Sequence, residues 1–257
     1  APRLFRGLPW GTRHVLERTL ELAETEGLSV KQLKPLSDVD RPRDLPLLEG
    51  LWGKCRIDEV LGKLSVIVPT FNEAARIEAT LRRLPLGDPG AEVIVVDAGS
   101  GDGTADIASA LGARVIAAPH PGRARQMNRG AAEAGGGILL FLHADTLLPV
   151  GFERETYNAV GRPGVAAGAF RFSLDEAGWG FRLVEALTNW RARALQLPYG
   201  DQGLFMRAAT FKALGGFPTI PIMEDFEMVR RLRKRGRIVI VPLPAVTSAR
   251  RWKKRGI

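Results

Sequence analysis

The chain has 257 residues, 37 basic side chains against 28 acidic ones, and a formal net charge of +9. At 45% hydrophobic and 25% charged it has the composition of a globular protein with a sizeable core, and no apolar run reaches the ~18 residues that a membrane span needs. Cys55 stands alone, no CxxC or HExxH occurs and His14, His120 and His143 are far apart, so a disulfide within the chain and a zinc site are excluded, and a reducing, cytoplasmic compartment is expected.

In chain order, "TRHVLERTLELAETEG" (12–27) predicts a helix with Val15, Leu16, Thr19, Leu22 and Ala23 on one face and Gly27 as its stop. "LSVKQL" (28–33) predicts a short strand. A stretch rich in proline and charge follows, then a linker over 49–63. From Leu64 the pattern changes. "LSVIVPT" (64–70) is a mainly apolar run with β-branched residues at its centre, as in a strand buried on both faces. "NEAARIEATLRRL" (72–84) has Ile77, Leu81 and Leu84 at helical spacing, with Asn72 in place as N-cap. Strand 91–100, helix 104–112, strand 113–119, helix 122–137 and strand "ILLFLHAD" (138–145) continue the alternation. Such alternation means βαβ units, an α/β fold with a Rossmann-like, mainly parallel central sheet and helices on both faces.

Open parallel sheets bind ligands beyond the carboxyl ends of their strands. Those ends carry Thr70-Phe71-Asn72-Glu73, Asp97-Ala98-Gly99-Ser100, His120-Pro121-Gly122-Arg123 and His143-Ala144-Asp145. A nucleotide suits this edge, with Asp97 accepting hydrogen bonds from base or ribose and Asp145 facing a metal-bound diphosphate. "DAGSGDGT" taken alone is equally a strand-to-helix turn, with glycines at positive φ and Asp102 or Thr104 capping the next helix. It has neither the Walker lysine nor the dinucleotide glycine spacing. Asp145 ends a hydrophobic strand with no cation adjacent in sequence, and a divalent cation is a natural partner for it. "MEDFEMVRRLRKRG" (223–236) predicts a helix with Phe226, Val229 and Leu232 as its apolar stripe. Glu224 and Asp225 at its amino end also simply complement the helix dipole.

"LSVIVPTFNEAARI", "VIVVDAGSGDGT", "PGRARQMNRGAA", "LFLHADT", "GDQGLFMRAATFKALGGF" and "MEDFEMVRRLRKRG" occur in that order over about three quarters of the chain. Together they resemble a family 2 glycosyltransferase of GT-A fold, and more narrowly the bacterial branch called radical-SAM/selenodomain-associated transferase 2. The resemblance implies inverting transfer from a nucleotide-diphosphate sugar to a small or lipid-linked hydroxyl acceptor. It places Pro69, Thr70, Phe71 and Glu73 along the nucleotide pocket, Asp97 on the base and Arg123 on base or phosphate. Asp145 matches the second carboxylate of the family's Asp-x-Asp, a ligand of Mg²⁺ or Mn²⁺. His143 replaces the first, and Ala144 lies between them. Gly200 and Asp201 would wall the donor sugar, Asp225 would be the catalytic base and Glu224 its neighbour at the acceptor. "SARRW" (248–252) resembles the Gln-x-x-Arg-Trp motif of processive members with Ser248 in place of Gln, which argues against a polymerising synthase. Arg251 there would contact the diphosphate.

Residues 1–50 resemble the end of an associated transferase 1 domain, which is nucleotidyltransferase-like, and with a linker they make up a first segment over 1–55. The implied organisation is a remnant of that domain fused to a glycosyltransferase domain over 64–257, with the carboxyl end cut. The positive charge, concentrated in "RRLRKRGR" (230–237) and "ARRWKKRG" (249–256), favours anionic partners and motivates an expectation of peripheral contact at the inner face of the membrane. The same clusters are also readable as solvated faces. No aromatic-interleaved basic sheet or recognition helix is present, so nucleic acid is not expected as a partner. The competing functions are a nucleotidyltransferase and a non-catalytic module that binds nucleotide sugars or anionic membranes.

Overall fold

A computed structural model describes residues 15–25, 62–220 and 222–250. The chain divides into two compact units, Ala1–Lys54 and Cys55–Ile257. In the first, the described residues form helix α1 (Val15–Thr25), within the predicted span. The strand expected over 28–33 lies outside the described residues.

The second unit runs β1 (Leu64–Thr70), α2 (Ala74–Leu81), β2 (Ala91–Asp97), α3 (Thr104–Ala110), β3 (Arg114–Ala117), α4 (Arg123–Glu133) and β4 (Ile138–Phe141). It continues with β5 (Thr146–Leu147), α5 (Phe152–Gly161), β6 (Val165–Leu174), α6 (Trp179–Ala194), β7 (Leu204–Arg207), α7 (Ala208–Ala213), α8 (Glu224–Leu232) and β8 (Arg237–Thr247). The sheet order is β3-β2-β1-β4-β7-β6-β8-β5. Its first four strands are parallel, as the βαβ alternation predicts. Beyond β4 the sheet is mixed, because β7 joins antiparallel to both β4 and β6 while β8 lies parallel to β6.

Alternation along β1 shows how both faces are covered. Val66 and Val68 belong to a core shared with Ile77 and Leu81 of α2 and Phe152 and Val160 of α5. Ile67 points the other way, into a core with Ala124 and Met127 of α4 and Met228, Val229 and Leu232 of α8. A strand covered on both faces is apolar on both, which is why "LSVIVPT" lacks the polar alternation of a half-exposed strand; its buried Ser65 and Thr70 are hydrogen-bonded to Glu92 and Asp97.

Close approaches need glycine at several places, two of them in the packing of the sheet. A Cβ on Gly130 of α4 would stand 2.5 Å from Ile67 Cγ2, so α4 packs on β1 only without one. Gly168 of β6 is paired with Phe205 of β7, and a Cβ there would lie 2.3 Å from Phe205 Cζ. Gly168→Ala is expected to destabilise the domain by about 2–3 kcal/mol through overpacking, measured by urea unfolding.

Several boundaries differ from the sequence reading, two of them at the site. The strand expected over 138–145 ends at Phe141, and His143, Ala144 and Asp145 form the turn beyond it. Asn72 is not the N-cap of α2. It sits at φ +54, and this left-handed turn aims its side chain at the next loop, where Oδ1 accepts the Gly101 N–H at 3.0 Å. The α2 amino end is capped from outside, with Asp102 Oδ2 accepting from Ala74 N–H at 3.0 Å and Thr104 Oγ1 from Glu73 N–H at 2.9 Å.

Candidate active site

The loops after β1 and β2 are locked into one platform. Asp97 Oδ1 accepts from the Thr70 hydroxyl at 3.0 Å and the Ser100 hydroxyl at 2.5 Å, and Oδ2 accepts from the Gly99 and Ser100 amides at 3.0 and 2.8 Å. Both carboxylate oxygens of the buried Asp97 are thus used in shaping its own turn. Gln126 of α4, also buried, donates through Nε2 to the Thr70 and Val96 carbonyls, each at 2.8 Å, which fixes the helix start against both strand ends. Sequence reasoning passed over Gln126. Its only signal was a polar residue at a helix position that the apolar neighbours Ala124 and Met127 mark as inward. Pro69 lies within β1, and Phe71 stands exposed at the rim.

A second group forms around Asp145. Thr146 of β5 pairs with Thr247 of β8, so the chain leaving β8 passes back beside Asp145. Ala249 is buried and its N–H donates to Asp175 Oδ1 at 2.7 Å, which holds the next residue, Arg250, in place. One guanidinium nitrogen of Arg250, Nη2, donates to Glu73 Oε1 and lies 3.3 Å from Asp145 Oδ2. The partner of Asp145 in this structure is therefore an arginine about a hundred residues away in sequence, a pairing no local pattern could indicate. Arg251 and Trp252 lie outside the described residues. Burial pushes the Asp145 carboxyl above the usual carboxylate range, with Arg250 opposing, Glu73 adding to the rise and Arg76 opposing. No cluster of three metal-ligating side chains occurs among the described residues. Two hard carboxylate oxygens nevertheless converge on one cationic nitrogen. Two carboxylates completed by substrate phosphates suit Mg²⁺ or Mn²⁺, so the residues fit such an ion.

The third group surrounds Gly200. Asp225, in the first turn of α8, accepts the Gly200 N–H on Oδ2 and the Phe226 N–H on Oδ1, both at 2.8 Å. A Cβ on Gly200 would lie 2.9 Å from His143 Nε2 and 3.3 Å from Asp225 Oδ2, so the imidazole and the carboxylate flank this glycine. His143 Nε2 is 3.4 Å from Arg123 Nη1. Arg123 in turn is ion-paired through Nε with Glu224 Oε1, whose side chain is only 3% exposed. Burial works to lower the Arg123 pKa, but bound Glu224, with Asp225 and Asp201 nearby, holds it above the ordinary arginine value. Asp201 follows Gly200 in a 3₁₀ turn (Gly200–Gln202). Ala144 is buried, and its carbonyl accepts the Thr80 hydroxyl at 2.7 Å, fixing the turn between His143 and Asp145. His143, Gly200, Glu224 and Asp225 line the polar side of a small cavity whose other wall is Met127, Phe141, Leu204 and Phe217. The third group is tied to the β4 turn by sequence alone, since His143 and Asp145 are two residues apart.

The doubly covered α/β sheet, with acids and an arginine gathered at the carboxyl ends of its parallel strands, is the GT-A fold of the family 2 relatives that the chain matches. The chain belongs to glycosyl transferase family 2, whose sequence profile matches residues 65–214. It is 32% identical over 201 residues to the succinoglycan biosynthesis protein ExoA of Rhizobium meliloti, an alignment covering 70% of this chain and 61% of that protein. Glucosyl-3-phosphoglycerate synthase of Mycobacterium tuberculosis is 38% identical over 96 residues, covering 34% of this chain and 30% of the synthase. Among solved structures, the mannosyltransferase of Pyrobaculum calidifontis in complex with GDP-Man and Mn²⁺ superposes with a TM-score of 0.58 at 27% identity, over 76% of this chain and 58% of that one. The match thus spans about three fifths of the length of ExoA and of the mannosyltransferase, and less than a third of the synthase.

Proposed function

We propose that the chain transfers a sugar from a nucleoside-diphosphate sugar to a hydroxyl acceptor with inversion, using Asp225 as general base. The observation that carries this reading is the placement of the Asp225 carboxylate. Two backbone amides fix its orientation, and it faces the same cavity as His143 beside the strand-end turn that holds Asp145. Each Asp225 oxygen keeps acceptor capacity, so it can take the acceptor's proton as that oxygen attacks the anomeric carbon. Attack from one side and departure of the diphosphate on the other give inversion in one displacement. Arg123, held charged by Glu224, supplies fixed positive potential toward the leaving phosphates, and Thr70 with the Asp97 turn builds the nucleoside platform. Asp145 and Glu73 would hold a divalent cation, which neutralises the diphosphate when bound. The mannosyltransferase solved with GDP-Man and Mn²⁺ supports the use of a divalent cation with a nucleotide sugar.

Membership of the radical-SAM/selenodomain-associated branch and a nucleotidyltransferase-like origin for residues 1–50 belong to the same reading, and rest on the motifs alone. The test is calorimetric titration of nucleoside diphosphates and their sugars, with and without Mn²⁺, on the wild type and Asp145→Ala. Metal-dependent binding of one nucleotide that the variant loses supports the site. Absence of binding by every nucleotide tested sinks it.

Arg250 adds a prediction. Its guanidinium sits where the two carboxylates would share a metal, so an entering ion has to displace it. Arg250→Gln is expected to tighten Mn²⁺ binding about fivefold, less than the bare Coulomb energy because the group is partly exposed. Calorimetry with Mn²⁺ alone checks this.

A further inference from the structure

Helix α6 turns polar side chains inward beside the apolar Phe181, Val184 and Ala192, and large apolar ones outward. Its inward face carries polar groups that complete the backbone of β6. Glu185 accepts the Leu174 N–H at 2.7 Å and the Ser173 hydroxyl at 3.0 Å. Asn189 accepts the Phe172 N–H at 2.8 Å and donates to the Phe172 carbonyl at 2.9 Å. Along this part of β6 only β8 pairs with the strand, since its register with β7 is limited to Gly168 and Phe205. The helix must therefore turn polar side chains inward to satisfy that free edge. The consequence is an apolar outer face. Trp179 is 84% and Trp190 62% exposed, and Leu183 and Leu187 between them are each more than half exposed. Steps of four, four and three residues put the four on one line, about 16 Å long at the α-helical rise.

We propose that this outer face of α6 docks on the surface of an anionic lipid bilayer. Side chains standing this far out form a ridge without walls, suited to entering a headgroup layer rather than to filling a protein core. Indoles at both ends of an aliphatic stripe are the side chains that settle at a bilayer interface. Arg193 stands exposed beside the stripe, and Glu185, the helix's one acid, is buried and ion-paired with Arg182 at 2.7 Å, so no unpaired acid of the helix opposes it. The chain as a whole carries +9. Docking also reaches the site, because the Arg191 guanidinium stacks 3.6 Å over the Tyr199 ring and its Nε donates to the Leu197 carbonyl at 3.1 Å, and Tyr199 leads directly into Gly200. A catalytic pocket held this way faces acceptors carried on lipid, a consequence that rests on the transfer reading above.

The test is co-sedimentation of the full chain with vesicles of phosphatidylcholine alone and of phosphatidylcholine with one quarter phosphatidylglycerol, with tryptophan emission recorded on the same samples. The wild type is expected to bind the anionic vesicles with a blue shift. Trp179→Ser/Trp190→Ser is expected to lower partitioning about tenfold or more, and Arg193→Glu about tenfold on anionic vesicles. All these positions are exposed, and circular dichroism confirms the fold of each variant. Leu187→Gln serves as a milder probe, expected to lower partitioning several-fold. Three results overturn the proposal: no vesicle binding by the wild type, binding that the double tryptophan variant leaves intact (the basic carboxyl end then carries it), or self-association without vesicle binding that the same variant abolishes, which makes a second copy the occupant. Nucleotide binding measured without vesicles reports on the transfer site separately, so loss of docking with nucleotide binding retained leaves that reading standing.

Discussion

Asp225→Asn is expected to lower kcat for sugar transfer by about a thousandfold while nucleotide affinity stays within about twofold of wild type. The substitution preserves shape and removes the proton acceptor. It also turns one oxygen into a donor. Since Asp225 receives amide hydrogens from Gly200 on one oxygen and Phe226 on the other, either orientation of the asparagine sets an N–H against an N–H. A modest loss of stability, about 1 kcal/mol, should therefore accompany the kinetic effect. Single-turnover transfer with the donor found by calorimetry separates the two. A variant that is slightly less stable, binds donor normally and fails in turnover is the signature of a lost base. Unchanged turnover would remove Asp225 from the chemistry and leave it as a cap for the Gly200 turn.

Gly200→Ala should be almost as damaging, for a steric reason. Gly200 is not in the left-handed region, so its backbone accepts alanine without strain. The added methyl would meet His143 Nε2 at 2.9 Å and Asp225 Oδ2 at 3.3 Å. The imidazole is the group able to swing away, and doing so takes it off Arg123. The melting temperature should change by only a few degrees, while kcat/KM falls about a hundredfold, the scale on which small misplacements in an active site are felt. Steady-state kinetics and a thermal melt on the same preparation test both halves. A large drop in melting temperature would mean that the backbone rather than the side chains absorbed the clash.

The sites of strong local pattern were readable beforehand. "LSVIVPT" and "VIVVDAGSGDGT" announce buried strands and the turn after them because a strand covered on both faces has no polar alternation, and because a tight strand-to-helix turn needs glycine and short polar side chains. Asp225 stood out by its place at the start of an amphipathic helix together with the order of the surrounding motifs. Arg250 did not stand out at all. Its neighbour Arg251, the residue that the motif favoured, lies outside the described residues, and only the return of β8 against β5 brings Arg250 against Asp145 and Glu73. Phe226 was expected in the apolar stripe of α8, yet Met228 is the residue buried with Val229 and Leu232, because the face a helix presents depends on what packs against it.

Sequence by itself therefore determined the alternation of elements, the parallel half of the sheet and the chemical types brought to its carboxyl edge, since periodicity and turn chemistry are local properties. Tertiary structure decided the rest: the antiparallel insertion of β7, the capture of Asp145 by Arg250, the closing of Asp97 on its own loop and the outward apolar face of α6. The first two join residues far apart in the chain, and all four depend on which backbone groups and charges remain to be satisfied once the sheet has formed.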